Sequence, residues 1–137
     1  MRYMLDTNIC IYLSKHRPAS VVERFRELEL GQVCISSIVY AELRFGCEGS
    51  AQREASLDAL TTLLGPVDIC DFDAAAAESF GRVRQNLKAR GQPIGPLGTM
   101  IAGHALSLGC VLATNNCAEF KRVEGLAVEN WVEAEDF

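Results

Sequence analysis

Five short, mostly apolar runs constrain this chain more than any other feature: Tyr3–Leu5, "QVCIS", "VDIC", "CVLAT" and "LAVEN". The stretches between them carry apolar residues at helical spacing, broken by glycine, proline and capping residues. Short apolar strands alternating with helices specify an α/β fold, with a parallel sheet covered by helices on both faces. In such a sheet the ligand crevice lies beyond the carboxyl ends of the strands. Residues that directly follow a strand are therefore the first candidates for chemistry.

The helical segments follow in order. Thr7 or Asn8 can cap a first helix through Ile11 and Leu13. Pro18 opens a second, Ala19 to Leu30, closed by Gly31. Ser36 or Ser37 caps a third carrying Val39, Leu43 and Phe45, broken at Gly46 or Gly49 before a fourth from about Ala51 to Leu64. Gly65-Pro66 is a turn, and Asp73 caps a long alanine-rich helix to about Arg90. "GQPIGPLG" is the clearest loop. The next helix shows a buried stripe of Met100, Ile101, His104, Ala105 and Leu108, and Gly98 is the residue at which it starts. A short helix near Ala118–Arg122 precedes the last strand, where Trp131 packs. A chain of 137 residues is expected to form a single domain over 1–137.

Composition excludes several classes. With 49% hydrophobic and 23% charged residues the chain is globular rather than disordered, and no apolar run approaches the ~18 residues of a membrane span. An acid at position 6 interrupts the N-terminal segment, so no signal peptide is expected and the location is read as cytoplasmic. None of the six cysteines forms a C-x-x-C pair, and in a reducing compartment they read as small buried hydrophobes. A net charge of −5 argues against indiscriminate coating of nucleic acid, yet is compatible with a nuclease whose site gathers acids.

Asp6 follows the first strand, Ser36 and Ser37 the second, and Asn115 and Asn116 the fourth, while Glu42 lies two helical turns beyond "VCIS" and can point back over the same edge. Each has an ordinary structural alternative. Asp6 can be a helix cap, Glu42 can pair with Arg44 or another arginine, Asn115 and Asn116 can form a turn, and Glu119 can be solvated surface. Glu42 stands out because Tyr40, Ala41 and Leu43 suggest a buried segment, where a carboxylate needs a partner or a cation. Together these groups form an oxygen-rich set suited to Mg²⁺ or Mn²⁺. Other α/β chemistries lack their residues. A dehalogenase-like phosphatase needs a second Asp where Asn8 stands, a phosphorelay receiver needs an acidic pair after its first strand, and "LDTNIC" has none of the glycines of a dinucleotide fingerprint.

"MLDTNICIYL", "ISSIVYAELRFG", "PIGPLGTMIAGHAL" and "LATNNCAEFKRVEGLAVENW" are, in this order, similar to the successive motifs of PIN-domain ribonuclease toxins of the VapC type, from Met4 to Trp131. The resemblance implies a three-layer α/β/α sandwich around a mostly parallel sheet, and a Mg²⁺-dependent endoribonuclease, with Mn²⁺ possible. It implies a cognate VapB-type antitoxin, a homodimer within their complex, no membrane, and structured RNA as substrate, notably the anticodon stem-loop of initiator tRNA. The site acids implied are Asp6 and Glu42, with Asn116 at a fourth position that holds an acid or an amide. Thr7, Asn8, Ser37, Thr114, Asn115 and Glu119 are secondary candidates. The third acid of the family falls where this chain has Gly98.

Loss of that carboxylate removes a metal ligand and a negative charge, so weakened metal binding and impaired activity are expected. A non-catalytic module that keeps antitoxin or RNA affinity is the alternative. Cations for RNA are sought at Lys15 and Arg17, at Arg82, Arg84, Lys88 and Arg90, and at Lys121 and Arg122. His104 lies on the apolar stripe and reads as a hydrogen-bonded core residue. An antitoxin helix would lie in a groove between the helices from Pro18 to Leu64, with Phe25, Leu28, Tyr40 and Phe45 as candidate lining.

Overall fold

The computed structural model describes residues 1–133; the last part of the expected 1–137 domain, 134–137, lies outside them. Five strands form one sheet in the order β3-β2-β1-β4-β5, with every neighbouring pair parallel. They are β1 (Tyr3–Leu5), β2 (Val33–Ser36), β3 (Asp68–Cys70), β4 (Val111–Thr114) and β5 (Val128–Asn130). The helices between them are α1 (Thr7–Ser14), α2 (Ala19–Arg26), α3 (Ser37–Glu48), α4 (Arg53–Leu64), α5 (Ala74–Ala89), α6 (Pro96–Leu108) and α7 (Cys117–Phe120). The result is the expected three-layer sandwich. β2 and β4 are buried at every position, because helices cover both faces, while the edge strands β3 and β5 stay partly exposed. Met4, Leu5, Cys34, Ile35, Leu112 and Ala113 form the centre of the core. Cys10, Cys34, Cys47 and Cys110 are buried free thiols, as expected of small hydrophobes.

β1 is the pivot of the topology. Met4 is in register with Cys34 on one side and with Leu112 on the other. The chain first steps outward through β2 and β3, then returns to the opposite side of β1 for β4 and β5. The strand order therefore reverses between β1 and β4, which opens a crevice at their carboxyl ends.

Several boundaries differ from the sequence expectation. α2 ends at Arg26 instead of Leu30, whose side chain is exposed. α3 is capped by Ser36, runs through Gly46 and ends at Gly49, and α4 begins at Arg53 rather than Ala51. α7 covers Cys117–Phe120 rather than Ala118–Arg122. The largest correction concerns α6: Gly95 is its N-cap and Pro96 its first residue, so Gly98 lies inside the first turn and is not where the helix starts. Proline at the first helical position loses no hydrogen bond and has its φ preset, a start signal hidden by the loop-like "GQPIGPLG". At the other end Gly109 takes φ +66°, the left-handed conformation that terminates a helix.

α6 lies very close to α5. A Cβ at Gly103 would stand 2.8 Å from both the N and Cα of Phe80, so the absence of a side chain sets the interhelical distance. One residue on, His104 is buried, with Nδ1 2.8 Å from Ser36 Oγ and its ring edge-on to Phe72. It is the hydrogen-bonded core residue expected.

Burial pushes the His104 pKa below its ordinary 6.5, despite the opposing pull of Asp73 and Asp71. Between the lowered folded value and 6.5 the unfolded chain binds the proton more readily, so this contribution to stability is complete above 6.5 and declines as pH falls below it. Urea titrations from about pH 5 to 8 should show a shallower acid-side loss for His104→Gln than for the parent. Equal slopes would exclude His104 as the cause.

Trp131 is buried against Tyr3, and Arg24 ties this end of the sheet to α2. Its guanidinium lies over both rings and donates to Glu129 Oε1 at 2.6 Å and to the Tyr3 hydroxyl at 3.0 Å.

Candidate functional site

Asp6 is the first residue beyond β1, at the crevice. Its extended backbone makes it the N-cap of α1, and its Oδ1 accepts from Ile9 N at 2.9 Å. The cap is therefore Asp6, not Thr7 or Asn8, and the capping role and the site position coincide in one side chain. Asp6 is only 6% exposed. Burial raises its pKa, and the nearby negative charge of Glu42 adds to the rise; hydrogen bonds from Thr114 and from the Ile9 and Asn8 amides oppose it. Among the described residues no Lys or Arg forms an ion pair with it.

Glu42 reaches the same place from α3. Thr7 Oγ1 donates to Glu42 Oε1 at 2.8 Å, which fixes one carboxylate oxygen beside the start of α1. The segment around Glu42 is half-buried rather than fully buried, and the alternative pairing with Arg44 is not formed. Arg44 turns to Glu48 instead, at 2.8 Å. At the end of β4, Thr114 approaches Asp6 and its Oγ1 also accepts from Asn116 N at 2.9 Å. The Asn116 amide donates to Glu119 Oε2 across the start of α7.

The other candidates are engaged elsewhere. Ser37 Oγ accepts from Phe72 N, which ties α3 to the segment after β3. Asn115 turns its amide NH₂ to the Tyr12 hydroxyl, a partner without any motif signal, and its buried Oδ1 has no hydrogen-bond donor among the described residues. Asn8 has an exposed side chain and contributes its backbone N–H to Asp6. Gly98 lies beside α7: a Cβ there would stand 3.6 Å from the Phe120 ring and 3.9 Å from Ile94 Cδ1.

The sheet thus brings together Asp6, Thr7, Glu42 and Thr114, with Asn116 and Glu119 adjacent. As a cation site this set is short of donors. Two carboxylates converge, but position 98 supplies no side chain, and the described residues contain no group of three or more His, Cys, Asp or Glu able to hold a metal. These residues do not complete a divalent-metal site.

Asp6→Asn keeps the helix cap, since Asn and Asp cap equally well, and removes a buried unpaired charge. In metal-free buffer near neutral pH the variant should melt above the parent. A lower melting temperature would mean that the ionised carboxylate is compensated.

From Thr7 and Glu42 a largely apolar cleft of about 340 Å³ runs between α1, α3 and α4, lined by Ile11, Leu43, Leu60 and Leu63 among others. It does not include Phe25, Leu28 or Tyr40, which line separate clefts, and Phe45 is 83% exposed. The residues named for a groove among the helices from Pro18 to Leu64 are thus divided among separate clefts. No helix among the described residues is long and apolar enough to cross a membrane.

A fully parallel, doubly covered sheet with a paired-acid crevice at its reversal point places the chain in the α/β class that binds at strand carboxyl ends. Its family is specific: the PIN-domain model matches residues 3–126, and the chain belongs to the PIN-domain family, among the VapC ribonucleases. It is 47% identical over 131 residues to the tRNA(fMet)-specific endonuclease VapC of Shigella flexneri, covering 96% of this chain and 98% of that one. It superposes with a TM-score of 0.90 on VapBC2 from Rickettsia felis bound to a promoter DNA fragment, at 38% identity over 96% of this chain and 100% of the other. DNA-bound VapBC from Salmonella typhimurium matches equally well, with a TM-score of 0.90, 41% identity and coverage of 96% and 99%. By family the chain is a nuclease. PIN-domain nucleases are generally dependent on divalent metal.

Proposed function

We propose that this chain is, by lineage, a Mg²⁺- or Mn²⁺-dependent endoribonuclease toxin acting on tRNA, with initiator tRNA as its target, and that Gly98 leaves it impaired. One observation carries this proposal: two carboxylates, Asp6 buried and Glu42 held by Thr7, converge beyond β1 with no Lys or Arg ion-paired to either among the described residues, while position 98 in the first turn of α6 carries no side chain. Buried acids without cations are costly to a fold and are retained where a cation is to be held. The names of the relatives support the substrate and a VapB antitoxin as partner. The same reading takes 1–137 as a single PIN domain, active in the cytoplasm and paired as a homodimer within the toxin–antitoxin complex.

A bound divalent ion would supply an activated water and neutralise charge on the scissile phosphate. In this chain Asp6 and Glu42 would share its charge, Thr7 would orient Glu42, and Thr114 would hold Asp6 and the Asn116 backbone in one frame. Asn116 and Glu119 stand at the rim, where they can meet RNA or ordered water. With the third carboxylate absent, no complete hydrolytic step is assigned to the chain.

The test is cleavage of a tRNA pool by protein purified free of antitoxin, with Mg²⁺ or Mn²⁺ added. Slow cutting at one stem-loop that Asp6→Ala and Glu42→Ala both abolish supports the proposal. Cutting that survives both substitutions would locate catalysis elsewhere. The non-catalytic alternative is favoured by the bare position 98. Its signature is tRNA or antitoxin binding by a protein that stays inert in every metal tested.

A further inference from the structure

A substrate with one negative charge per nucleotide must approach an acidic crevice on a protein of net charge −5, so a local cationic surface has to hold it. The structure separates the cations that are available from those already engaged. Arg2, Arg24, Arg44, Arg53 and Arg90 all form ion pairs with acids. Arg122 donates to the carbonyl of Pro93. Arg84 and Lys88, one turn apart on α5, are exposed and form no ion pair among the described residues; the Arg84 guanidinium lies over the Phe80 ring at 6.0 Å. Like charges at this spacing repel one another unless an anion lies between them.

These two side chains form one wall of a cleft of about 280 Å³, with Leu87 beside them and Ile94, Pro96 and Thr99 opposite; no acid among the described residues lines it. Two features place and hold the cleft. Ile94 on its wall is also the residue whose Cδ1 approaches the Cβ position of Gly98, and that position packs on Phe120 of α7, the short helix that Asn116 caps. The loop carrying Pro93 is braced, because Arg122 holds the Pro93 carbonyl at 3.1 Å and Arg90 holds the Arg122 carbonyl at 2.7 Å. We propose that the cleft between α5 and the 93–96 loop is a docking site for the RNA backbone, in which Arg84 and Lys88 bind phosphates of the strand leading into the crevice. Phosphate contacts of this kind set register and affinity without reading bases. The apolar face of Ile94 and Pro96 would pack against a ribose or base. This proposal rests on RNA being the substrate.

The test uses the chain as it stands, with Gly98, because slow cleavage allows binding to be measured. Fluorescence anisotropy with labelled initiator tRNA across a salt series compares the parent with Arg84→Ala/Lys88→Ala, with Arg84→Glu/Lys88→Glu, and with Arg26→Ala on α2 as a single-charge control. The Ala pair should bind at least about tenfold more weakly, and its log–log salt slope should fall by about one for each phosphate no longer neutralised. The Glu pair should bind weaker still, and Arg26→Ala should stay near the parent. Circular dichroism should be unchanged, since both side chains are exposed. If the parent binds tRNA and the Ala and Glu pairs bind it as tightly with the same slope, the cleft is not the RNA site although RNA remains the substrate. If the pairs keep tRNA but lose a co-expressed antitoxin, the cleft belongs to a protein partner and the proposal is overturned. If the parent shows no tRNA affinity even at low salt, both the RNA assignment and the cleft proposal fail together.

Discussion

Gly98→Asp is expected to raise tRNA cleavage by at least about a hundredfold over the parent, since loss of an outer-shell partner alone costs a metal site about 10–100-fold and a carboxylate at this position would act more directly. The position can accept it. Gly98 lies in the first turn of α6, and a Cβ there meets the Phe120 ring at 3.6 Å and Ile94 Cδ1 at 3.9 Å, both ordinary contacts. An acid in a first helical turn is favoured by the exposed N–H groups, and replacing glycine in a helix adds propensity. A third negative charge near Asp6 and Glu42 works in the opposite direction until a cation arrives.

The variant should therefore differ from the parent in a way that requires no substrate. Its melting temperature should rise with added Mn²⁺ or Mg²⁺, while that of the parent should move far less, because binding to the folded state alone stabilises it. A Gly98→Asp protein as inert as the parent and indifferent to metal would remove the basis for impairment at this position. Equal cleavage by both proteins would show that two carboxylates suffice.

The second large effect concerns the seat of α6. Gly103→Ala is expected to destabilise the fold by about 2 kcal/mol or more, against a helix propensity that alone would favour alanine by about 1 kcal/mol. The clash is with the N and Cα of Phe80 at 2.8 Å, backbone atoms that no rotamer change can withdraw, so α5 and α6 would have to separate. Gly81 is the control. It is an exposed glycine of α5 with nothing within 4 Å of its Cβ position, so Gly81→Ala should be neutral or stabilising by up to about 1 kcal/mol. Chemical denaturation of the three proteins measures both. A Gly103→Ala protein as stable as Gly81→Ala would mean that the helices are not in hard contact. Because α6 also carries position 98, the spacing set at Gly103 fixes where any residue at 98 stands relative to the crevice.

Much of this was legible in the order of residues. Strand identity followed from short apolar runs, since a strand buried on both faces has little choice but to be apolar throughout. That sheet geometry also made Asp6, Glu42 and the "TNN" segment candidates, because positions after strands converge whatever the loops do. Helix ends were less legible. The start of α6 is hidden in the sequence because Gly95-Pro96 reads as a loop locally, and only the helix that follows turns that proline into a first-turn residue. The exposed Leu30 lengthened the expected α2, since an apolar residue in register is counted whether or not it meets a core.

By itself the sequence determined the fold class, the strand and helix order, and the residue types that meet at the carboxyl ends of β1 and β4. Those follow from periodicity and from the geometry of parallel sheets, which are properties of the chain's pattern. Tertiary structure alone decided which of those residues share the crevice and which are spent elsewhere. Glu42 chose Thr7 over Arg44, Ser37 was taken by Phe72, and Asn115 turned to Tyr12. It also decided that Arg84 and Lys88 line one cleft without an ion pair among the described residues while Arg90 and Arg122 brace the loop. A polar side chain has several feasible partners along the chain, and only packing in three dimensions selects the one it keeps.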